Sequence, residues 1–413
     1  MWANSKKNIF EYDVKVMLDT LIYQSLVKVD KDGIIRIHNQ LQDMGNLKSL
    51  ITFDISDCLS LTSLPNELDN LTSLTTFDIS EYSSLISLPN ELGNLTSLTT
   101  LNISKCSSLT PLPNELDILI FLTNFDISGC SSLTSLPNEL TNLTSLIKFD
   151  ISECSSLTSL PNELGNFTSL STLNISKCLS LISLPNELDN LKFLTNFDIS
   201  GCSSLTSLPN ELTNLTSLTK FDISECSTNW YSNLISLSNE LGNFRSLTIF
   251  IINKYSSFTS LPNELNNFTS LNTFYINECS SLTSLPNEMG NLTSFTTLNI
   301  SWYSSLTSSS NELGKLISFT TFIISRYLSF TSLPNEFINL TSSTTFYINE
   351  CSSLTSLLNG LNNPTSLITL NISWCSTLTS LPNELSNLSS LTIFNIRFYK
   401  YNGILRKLYK CQG

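Results

Sequence analysis

Isoleucine occupies one position of a 24-residue unit that recurs through most of the chain. The positions are Ile55, Ile79, Ile103, Ile127, Ile151, Ile175, Ile199, Ile223, Ile252, Ile276, Ile300, Ile324, Ile348, Ile372 and Ile396. Every step is 24 residues except that from Ile223 to Ile252, which is 29. A fixed period of this size is typical of a repeat array, in which each unit packs only against its neighbours, and it argues against a globular enzyme.

The repeated unit reads L-x-x-[FL]-x-I-x-x-[CY]-x-x-L-x-x-L-P-x-x-L-x-x-L, as in residues 98–122. This pattern resembles the leucine-rich repeat, in the LxxLP form common in plant intracellular immune receptors and related cytoplasmic proteins. The resemblance implies an α/β fold: a leucine-rich-repeat solenoid, curved as a horseshoe or superhelix, with a parallel β-sheet on the concave face. Short turns and helical segments, such as residues 88–95, are expected on the convex face.

The repeat pattern divides the chain into three parts. Residues 1–49 precede the array as an N-terminal cap, residues 50–399 hold about fourteen to fifteen repeats, and residues 400–413 form a basic C-terminal tail or cap. The five extra residues of the long step lie within 227–233, where we expect a loop at the rim of the array.

The first part of the chain carries secondary-structure signals of its own. Apolar residues at helical spacing in 14–22 predict a helix. A Lys-Asp-Gly turn signal at 31–33 then predicts a β-hairpin of residues 26–29 and 34–37.

Residues 37–45 resemble the end of the winged-helix region in plant nucleotide-binding leucine-rich-repeat receptors. That family writes a Met-His-Asp triplet followed by Leu-Leu-x-x-Met-Gly; here His38 is retained, Asn39 replaces the acidic residue, and Met44 and Gly45 match. In the family the histidine faces the nucleotide phosphate. Because no GxxxxGK[ST] loop occurs in the sequence, His38 alone is not expected to bind a nucleotide, and no cofactor is predicted. The segment is interpreted as a winged-helix remnant that caps the first repeat, with a chance amphipathic cap as the alternative.

Cysteine is concentrated in one position of the repeat. Ten of the eleven cysteines share it: Cys58, Cys106, Cys130, Cys154, Cys178, Cys202, Cys226, Cys279, Cys351 and Cys375. Equivalent Cβ atoms on stacked strands lie about 4.8 Å apart, farther than the about 3.8 Å of a disulfide, so pairing along the column is not expected. No CxxC pair exists and His38 is the only histidine, so no metal site is predicted. We expect buried thiols that donate to carbonyl groups, and only Cys411 lies outside the column.

Charge and composition narrow the function classes. The net charge of −13 disfavours nucleic acid as a partner, because phosphate binding needs a basic surface. No stretch approaches the about 20 apolar residues of a membrane helix, so no membrane insertion is predicted. Residues 1–12 lack the apolar core of a secretory signal, which predicts a cytoplasmic or nuclear location. One histidine, with no nucleophile elbow, metal cluster or phosphate loop, predicts a protein that is not an enzyme.

Side chains next to the isoleucines are expected on the exposed, concave face, because strand residues alternate between the two faces of a sheet. Exposed Tyr and Trp are typical anchors of protein interfaces, so a protein partner is predicted to dock across residues 251–374. The candidate binding residues are Lys105, Glu153, Lys177, Glu225, Lys254, Tyr275, Trp302, Arg326, Tyr347 and Trp374. Several repeat 72 residues apart, as Trp302 and Trp374 do, so copying of a three-repeat block explains the same pattern without a ligand.

The leading function hypothesis is a non-catalytic protein-recognition module similar to the sensing part of a plant disease-resistance receptor. Its partner would be an effector or a host signalling protein bound on the concave face. The alternatives are an intracellular leucine-rich-repeat scaffold or adaptor in signalling, and a fragment of an extracellular receptor ectodomain. The sequence predicts no oligomeric state.

Overall fold

The structure is a computed structural model that divides the chain into two compact units, residues 1–215 and 216–413. It describes residues 49–56, 63–64, 68, 70–209, 212, 214–226, 244–255, 261, 268–283, 292, 294–301, 319–326, 342–355, 357, 366–378, 381 and 388–397, and the backbone of 27–29 and 35–37. Each unit carries parallel strands spaced by the sequence period.

The described part of the first unit contains a β-hairpin and seven short parallel strands. The hairpin pairs β1 (Val27–Val29) with β2 (Ile35–Ile37) in antiparallel register, which confirms the predicted hairpin. The parallel strands are β3 (Thr52–Asp54), β4 (Thr76–Asp78), β5 (Thr100–Asn102), β6 (Asn124–Asp126), β7 (Lys148–Asp150), β8 (Thr172–Asn174) and β9 (Asn196–Asp198). Residues 24 apart face each other, as Thr76 faces Thr100, so the sequence period itself sets the register.

The second unit continues the pattern with eight described parallel strands, most of them longer. They are β10 (Lys220–Asp222), β11 (Ile249–Asn253), β12 (Thr273–Asn277), β13 (Thr297–Ser301), β14 (Thr321–Ser325), β15 (Thr345–Asn349), β16 (Thr369–Ser373) and β17 (Ile393–Arg397). Lys220 faces Ile249, so the pairing absorbs the 29-residue step without a change of register. The two units thus hold a parallel-sheet solenoid, which confirms the predicted fold class.

Strand length depends on the hydrogen bond made by the residue before the isoleucine and not on its identity alone, since Asn299 and Asn371 stand in five-residue strands and accept the serine hydroxyl. In the first unit this residue is Asp or Asn, and its side chain accepts the N–H of the serine two residues later, as Asp78 does from Ser80 at 2.9 Å. That N–H is then unavailable to the ladder, and the strand ends after three residues. Where Tyr275 takes the position, no such acceptor exists, and the strand runs on to Asn277, whose N–H donates to Asn253 Oδ1 of the preceding strand at 2.9 Å.

The return segments of the first unit form short 3₁₀ helices, in agreement with the predicted helical turns. Those that the structure describes in full are Asn90–Asn94, Asn114–Ile118, Asn138–Asn142, Asn162–Asn166 and Asn186–Asn190. Each follows a proline with an extended backbone, such as Pro89 at φ −71°. Proline suits this place because its fixed φ is compatible with the turn and its missing N–H would have no helical partner there. The leucine inside the turn, such as Leu92, points into the core.

The core consists of columns of equivalent side chains running along each unit. Ile103, Ile127 and Ile151 are fully buried, as are the leucines that begin their repeats. Phenylalanines one position before the Asp/Asn site stack on one another, with Phe125 and Phe149 centroids 5.5 Å apart. Since each ring packs between neighbouring repeats, stability is shared along the array.

The cysteine column lies in this core, as predicted. Cys106, Cys130, Cys154, Cys178 and Cys202 are buried and unbridged. Each thiol donates to the carbonyl of the isoleucine 27 residues earlier, as Cys154 Sγ does to Ile127 O at 3.2 Å. Where tyrosine replaces cysteine, as at Tyr82 and Tyr255, the phenol donates to the equivalent carbonyl. The side chain at this position therefore supplies a hydrogen-bond donor to a carbonyl in the core.

Several predicted features lie outside the described residues. They are the helix of residues 14–22, the winged-helix-like stretch with His38, the insertion within 227–233, Trp302, and the tail 400–413 with Cys411. They stay predictions.

Candidate interaction surface on the exposed sheet face

The residue two positions after each isoleucine is called the rim position below, and it has a left-handed backbone wherever the structure describes it. Every rim residue that the structure describes has φ between 55° and 74°, including Lys105, Gly129 and Trp374. Only two of the twelve, Gly129 and Gly201, are glycine. A non-glycine residue in this region costs about 1 kcal/mol. Most described repeats therefore contain one slightly strained residue at the point where the chain turns away from the sheet.

Rim side chains of adjacent repeats form ion pairs, which the sequence analysis did not predict. Lys105 Nζ lies 2.5 Å from Glu81 Oε1, and Lys177 Nζ lies 2.6 Å from Glu153 Oε1. In the second unit Lys254 pairs with Glu225 at 2.8 Å, and Arg326 Nε with Glu350 Oε2 at 2.7 Å. Two of the acidic partners, Glu81 and Glu350, were not among the candidate residues. The sequence feature that could have predicted these ion pairs is opposite charge at equivalent positions of neighbouring repeats.

These ion pairs show that the charged candidate binding residues already interact with neighbouring repeats of the same chain. Lys105, Glu153, Lys177, Glu225, Lys254 and Arg326 each already have a partner of opposite charge. The hydrogen bond from Lys254 to Glu225 raises the pKa of that lysine. Exposed pairs of this kind contribute about 0–1 kcal/mol each, so a protein partner could replace them at small cost.

Gly129 provides a stability test of the rim geometry. A Cβ added there would lie 3.2 Å from Lys105 Cγ and 3.3 Å from Lys105 Cα, at a φ of +73°. We expect Gly129→Ala to lower the free energy of unfolding by about 1–2 kcal/mol, through backbone strain and overpacking. Urea titration followed by circular dichroism measures it.

Lys105→Ala is the matched control for that substitution. It keeps a Cβ at positive φ and removes only an exposed ion pair, so its effect should stay below about 1 kcal/mol. In the double variant the loss of Lys105 Cγ should restore part of the Gly129→Ala deficit. Equal losses for both single variants would contradict the close approach.

The sheet face of the first unit is acidic and internally hydrogen-bonded. Asp54, Asp78, Asp126, Asp150 and Asp198 stand before the isoleucines of successive repeats, interrupted by asparagines. The asparagines relieve like-charge contacts: Asn102 Nδ2 donates to Asp78 Oδ2 at 2.8 Å, and Asn174 Nδ2 to Asp150 Oδ2 at 3.1 Å. Among the described residues, no group of three or more potential metal ligands is arranged to hold an ion.

The sheet face of the second unit is less acidic and carries aromatic side chains. Tyr275 and Tyr347 are half-buried at the position before the isoleucine, on β12 and β15. They stand three strands apart, about 14 Å at strand spacing, so they do not touch. Trp374 follows β16, with 40% of its surface exposed.

An open cleft of about 380 Å³ lies beside Trp374 on this face and is called the Trp374 cleft below. Its lining is Ser325, Asn349, Glu350, Asn371, Ser373, Trp374, Asn395 and Arg397. Neighbouring strands supply these residues because Asn371 faces Asn395 and Ser373 faces Arg397 in the ladder. The backbone N–H of Trp374 donates to Arg397 O at 2.6 Å, which fixes the Trp374 backbone beside the last described strand.

A second open cleft, about 530 Å³, lies between two return segments of the first unit. Residues 135–138 and 159–162 line it with the same Ser-Leu-Pro-Asn sequence twice. The groove is thus a product of the repeat, and it holds none of the candidate residues.

Comparisons with solved structures identify the fold. A leucine-rich-repeat protein of Leptospira interrogans matches over 90% of this chain and 96% of its own, at 22% identity and a TM-score of 0.59. An internalin from Listeria monocytogenes matches over 90% of this chain and 91% of its own, at 15% identity and a TM-score of 0.52. No protein-family model and no curated protein matches the sequence.

The chain therefore has the leucine-rich-repeat fold. At these identities the likeness shows the fold and leaves the particular role open to proposal. No catalytic family is indicated by the matches. Within the described ranges, no helix is both long enough and apolar enough to cross a membrane.

Proposed function

We propose that this chain is a non-catalytic protein-recognition module that binds a protein partner on the exposed sheet face of its second unit, across residues 251–374. The observation that carries the proposal is the change in that face. Tyr275, Tyr347 and an exposed Trp374 stand where the first unit presents Asp or Asn, Lys, Glu or Gly. Aromatic side chains of this kind supply most of the binding energy in many protein interfaces.

The physical basis of the proposal is the rigidity of the surface. The side chains project from a parallel ladder whose register is set by the repeat, so little conformational entropy is lost when a partner binds. The rim pair Arg326–Glu350 and the rim pair Lys254–Glu225 flank the aromatics with both signs of charge. Such a mixed rim around aromatic anchors supports selection of a partner by charge as well as by shape.

Trp374→Ala tests this function. Affinity capture with the intact chain, followed by mass spectrometry, should retain a protein that Trp374→Ala retains at least about tenfold less, the loss expected for an anchor residue. The combined Trp302→Ala and Trp374→Ala variant should abolish capture. Phe193→Ala is the matched control, because Phe193 is an aromatic residue of the first unit with 66% exposure.

Circular dichroism must show that each variant keeps the fold of the intact chain. Unchanged capture by the tryptophan variants would exclude the second-unit face as the interface. Equal loss in Phe193→Ala would point to a general effect of removing exposed aromatics.

Within this class we propose the sensing part of a plant-type disease-resistance receptor acting in the cytoplasm, with an effector or a host signalling protein as the partner. The support is the stretch around His38, Met44 and Gly45 together with the LxxLP repeat. A phosphate-binding loop encoded upstream of Met1 in the genome would support the receptor. An upstream region without one would favour an intracellular scaffold or adaptor, and a secretory signal would favour an extracellular ectodomain.

A further inference from the structure

The cysteine column of the first unit places one fully buried thiol in each of five successive repeats. These residues are Cys106, Cys130, Cys154, Cys178 and Cys202. Every thiol donates to the equivalent isoleucine carbonyl at 3.1–3.3 Å, so the five side chains have the same orientation. The strands that precede them pair in parallel register. Neighbouring sulfur atoms are therefore separated by about the strand spacing, about 4.8 Å.

This separation is too long for a disulfide but fits a metal ion with two ligands. The sulfur atoms of a disulfide lie about 2.05 Å apart. Bonds from a first-row metal ion to a thiolate sulfur are about 2.3 Å long, so a linear sulfur–metal–sulfur unit spans about 4.6 Å. Among the described residues no group of three or more ligands is arranged to hold an ion, which argues against the four-coordinate site that zinc prefers. Cu(I) favours soft thiolate ligands and accepts two of them in a line.

The charge of the buried site also favours a monovalent ion. Burial raises the pKa of the Cys130 thiol, and the neighbouring thiols of Cys154 and Cys106 add to the effect. A bare thiolate is therefore unfavourable in this core. A Cu(I) ion carries the same charge as the proton that it displaces, so the exchange S–H + Cu⁺ → S–Cu + H⁺ leaves the charge of the core unchanged.

The carbonyl groups that would lose an S–H donor keep a second donor. Ile127 O accepts the backbone N–H of Cys130 at 3.3 Å in addition to the thiol of Cys154. Ile175 O likewise accepts the N–H of Cys178 at 3.4 Å in addition to the thiol of Cys202. Replacing the thiol proton by a metal ion leaves neither carbonyl buried without a donor.

We propose that the cysteine column of the first unit binds Cu(I), with one ion between each pair of adjacent sulfur atoms. Five sulfur atoms enclose four such gaps. Four ions displace four protons, each inner sulfur bridges two ions, and one terminal thiol keeps its proton. Because the thiols are buried, an ion enters when a repeat opens locally, and uptake is slow. This site goes beyond the protein partner proposed above and does not depend on it.

Anaerobic titration of the intact chain with Cu(I), against a competing Cu(I) chelator, tests the proposal. Elemental analysis after gel filtration should find at least about four bound ions per chain. The melting temperature should rise because the ions bind the folded chain, whereas Zn²⁺ at the same concentration should not raise it. Cys154→Ser removes two of the four gaps and should lower the bound copper by about two ions per chain.

Cys279→Ser is the matched control. Cys279 is also fully buried, but tyrosine takes the equivalent position in both neighbouring repeats, at Tyr255 and Tyr303. This variant should bind as much copper as the intact chain. Circular dichroism must show that both variants are folded, and Cys154→Ala replaces Cys154→Ser if the serine variant is not.

Three results would overturn the inference. The first is folded protein that retains no copper against the chelator. The second is copper that lowers the melting temperature, because the ions would then bind the unfolded chain. The third is a copper content that the Cys154 variant does not lower, or that Cys279→Ser lowers equally.

Discussion

Phe149→Ala should lower the free energy of unfolding by about 3–5 kcal/mol. Phe149 has 0% exposure, and its ring stacks on Phe125 at 5.5 Å and meets Phe167 edge-on at 5.8 Å. Removing the ring leaves a cavity between two repeats whose spacing is fixed by the strand ladder, so the walls relax little. Urea unfolding followed by circular dichroism measures the loss as a lower midpoint.

Two matched variants make that result specific to packing. Phe193→Ala removes the same ring from a surface position, with 66% exposure, and should change the stability by about 0.5 kcal/mol or less. Phe149→Leu should cost less than about 1.5 kcal/mol, because Leu101 and Leu173 occupy the same core position in other repeats. A Phe149→Ala loss no larger than that of Phe193→Ala would contradict the shared core.

The fold follows from the sequence because one physical requirement repeats in every unit. Each repeat must bury its isoleucine, leucines and cysteine against the next, so the 24-residue period specifies both the strand and its register. The thiols lie in the core with carbonyl partners, as expected for a small buried side chain with a weak S–H donor such as Cys154. The 29-residue step could also be predicted, because it interrupts the regular spacing of the isoleucines. The inserted loop itself lies outside the described residues.

The surface was less predictable because its contacts depend on how adjacent repeats place long side chains. From the sequence, Lys177 and Glu153 are separate candidates for binding a partner, whereas in the structure their charged atoms lie 2.6 Å apart. Among the described rim residues, only Gly129 and Gly201 indicate a left-handed backbone from the sequence. Lysine and glutamate at the same position give no such indication, because they rarely adopt this conformation. The Trp374 cleft could not be predicted either, since it requires Arg397 and Asn395 from a neighbouring strand.

Alkaline pH should unfold the first unit steeply. Burial raises the pKa of the Cys106 thiol from 9.0 to about 11 and those of Cys154 and Cys202 to about 12. Burial also raises the pKa values of Cys130 and Cys178, and neighbouring cysteines add to the effect. Above about pH 9 the unfolded chain loses these protons while the folded chain keeps them, so stability falls as pH rises.

The size of the effect follows from the number of thiols. The stability that the protonated thiols contribute is fully present below the thiol pKa of the unfolded chain, near 9. It is lost as the pH rises through the thiol pKa values of the folded chain. Each thiol contributes roughly 1.4 kcal/mol per pH unit in that window, so five together approach roughly 7 kcal/mol per unit. Because a typical domain is stable by only about 5–15 kcal/mol, unfolding is expected within about two pH units above 9. Melting temperatures recorded by circular dichroism in steps from about pH 8 to 11 would show it.

A variant with Cys130, Cys154 and Cys178 replaced by serine separates thiol ionisation from other alkaline effects. Serine keeps an O–H donor for the isoleucine carbonyl and does not ionise in this range. Its baseline stability will be lower, so the informative quantity is the slope of the melting temperature against pH, which should fall by about three fifths if the five thiols contribute equally. An unchanged slope would mean that lysine or tyrosine ionisation controls alkaline unfolding. The cysteine column would then be a packing element without the proton linkage that its burial implies.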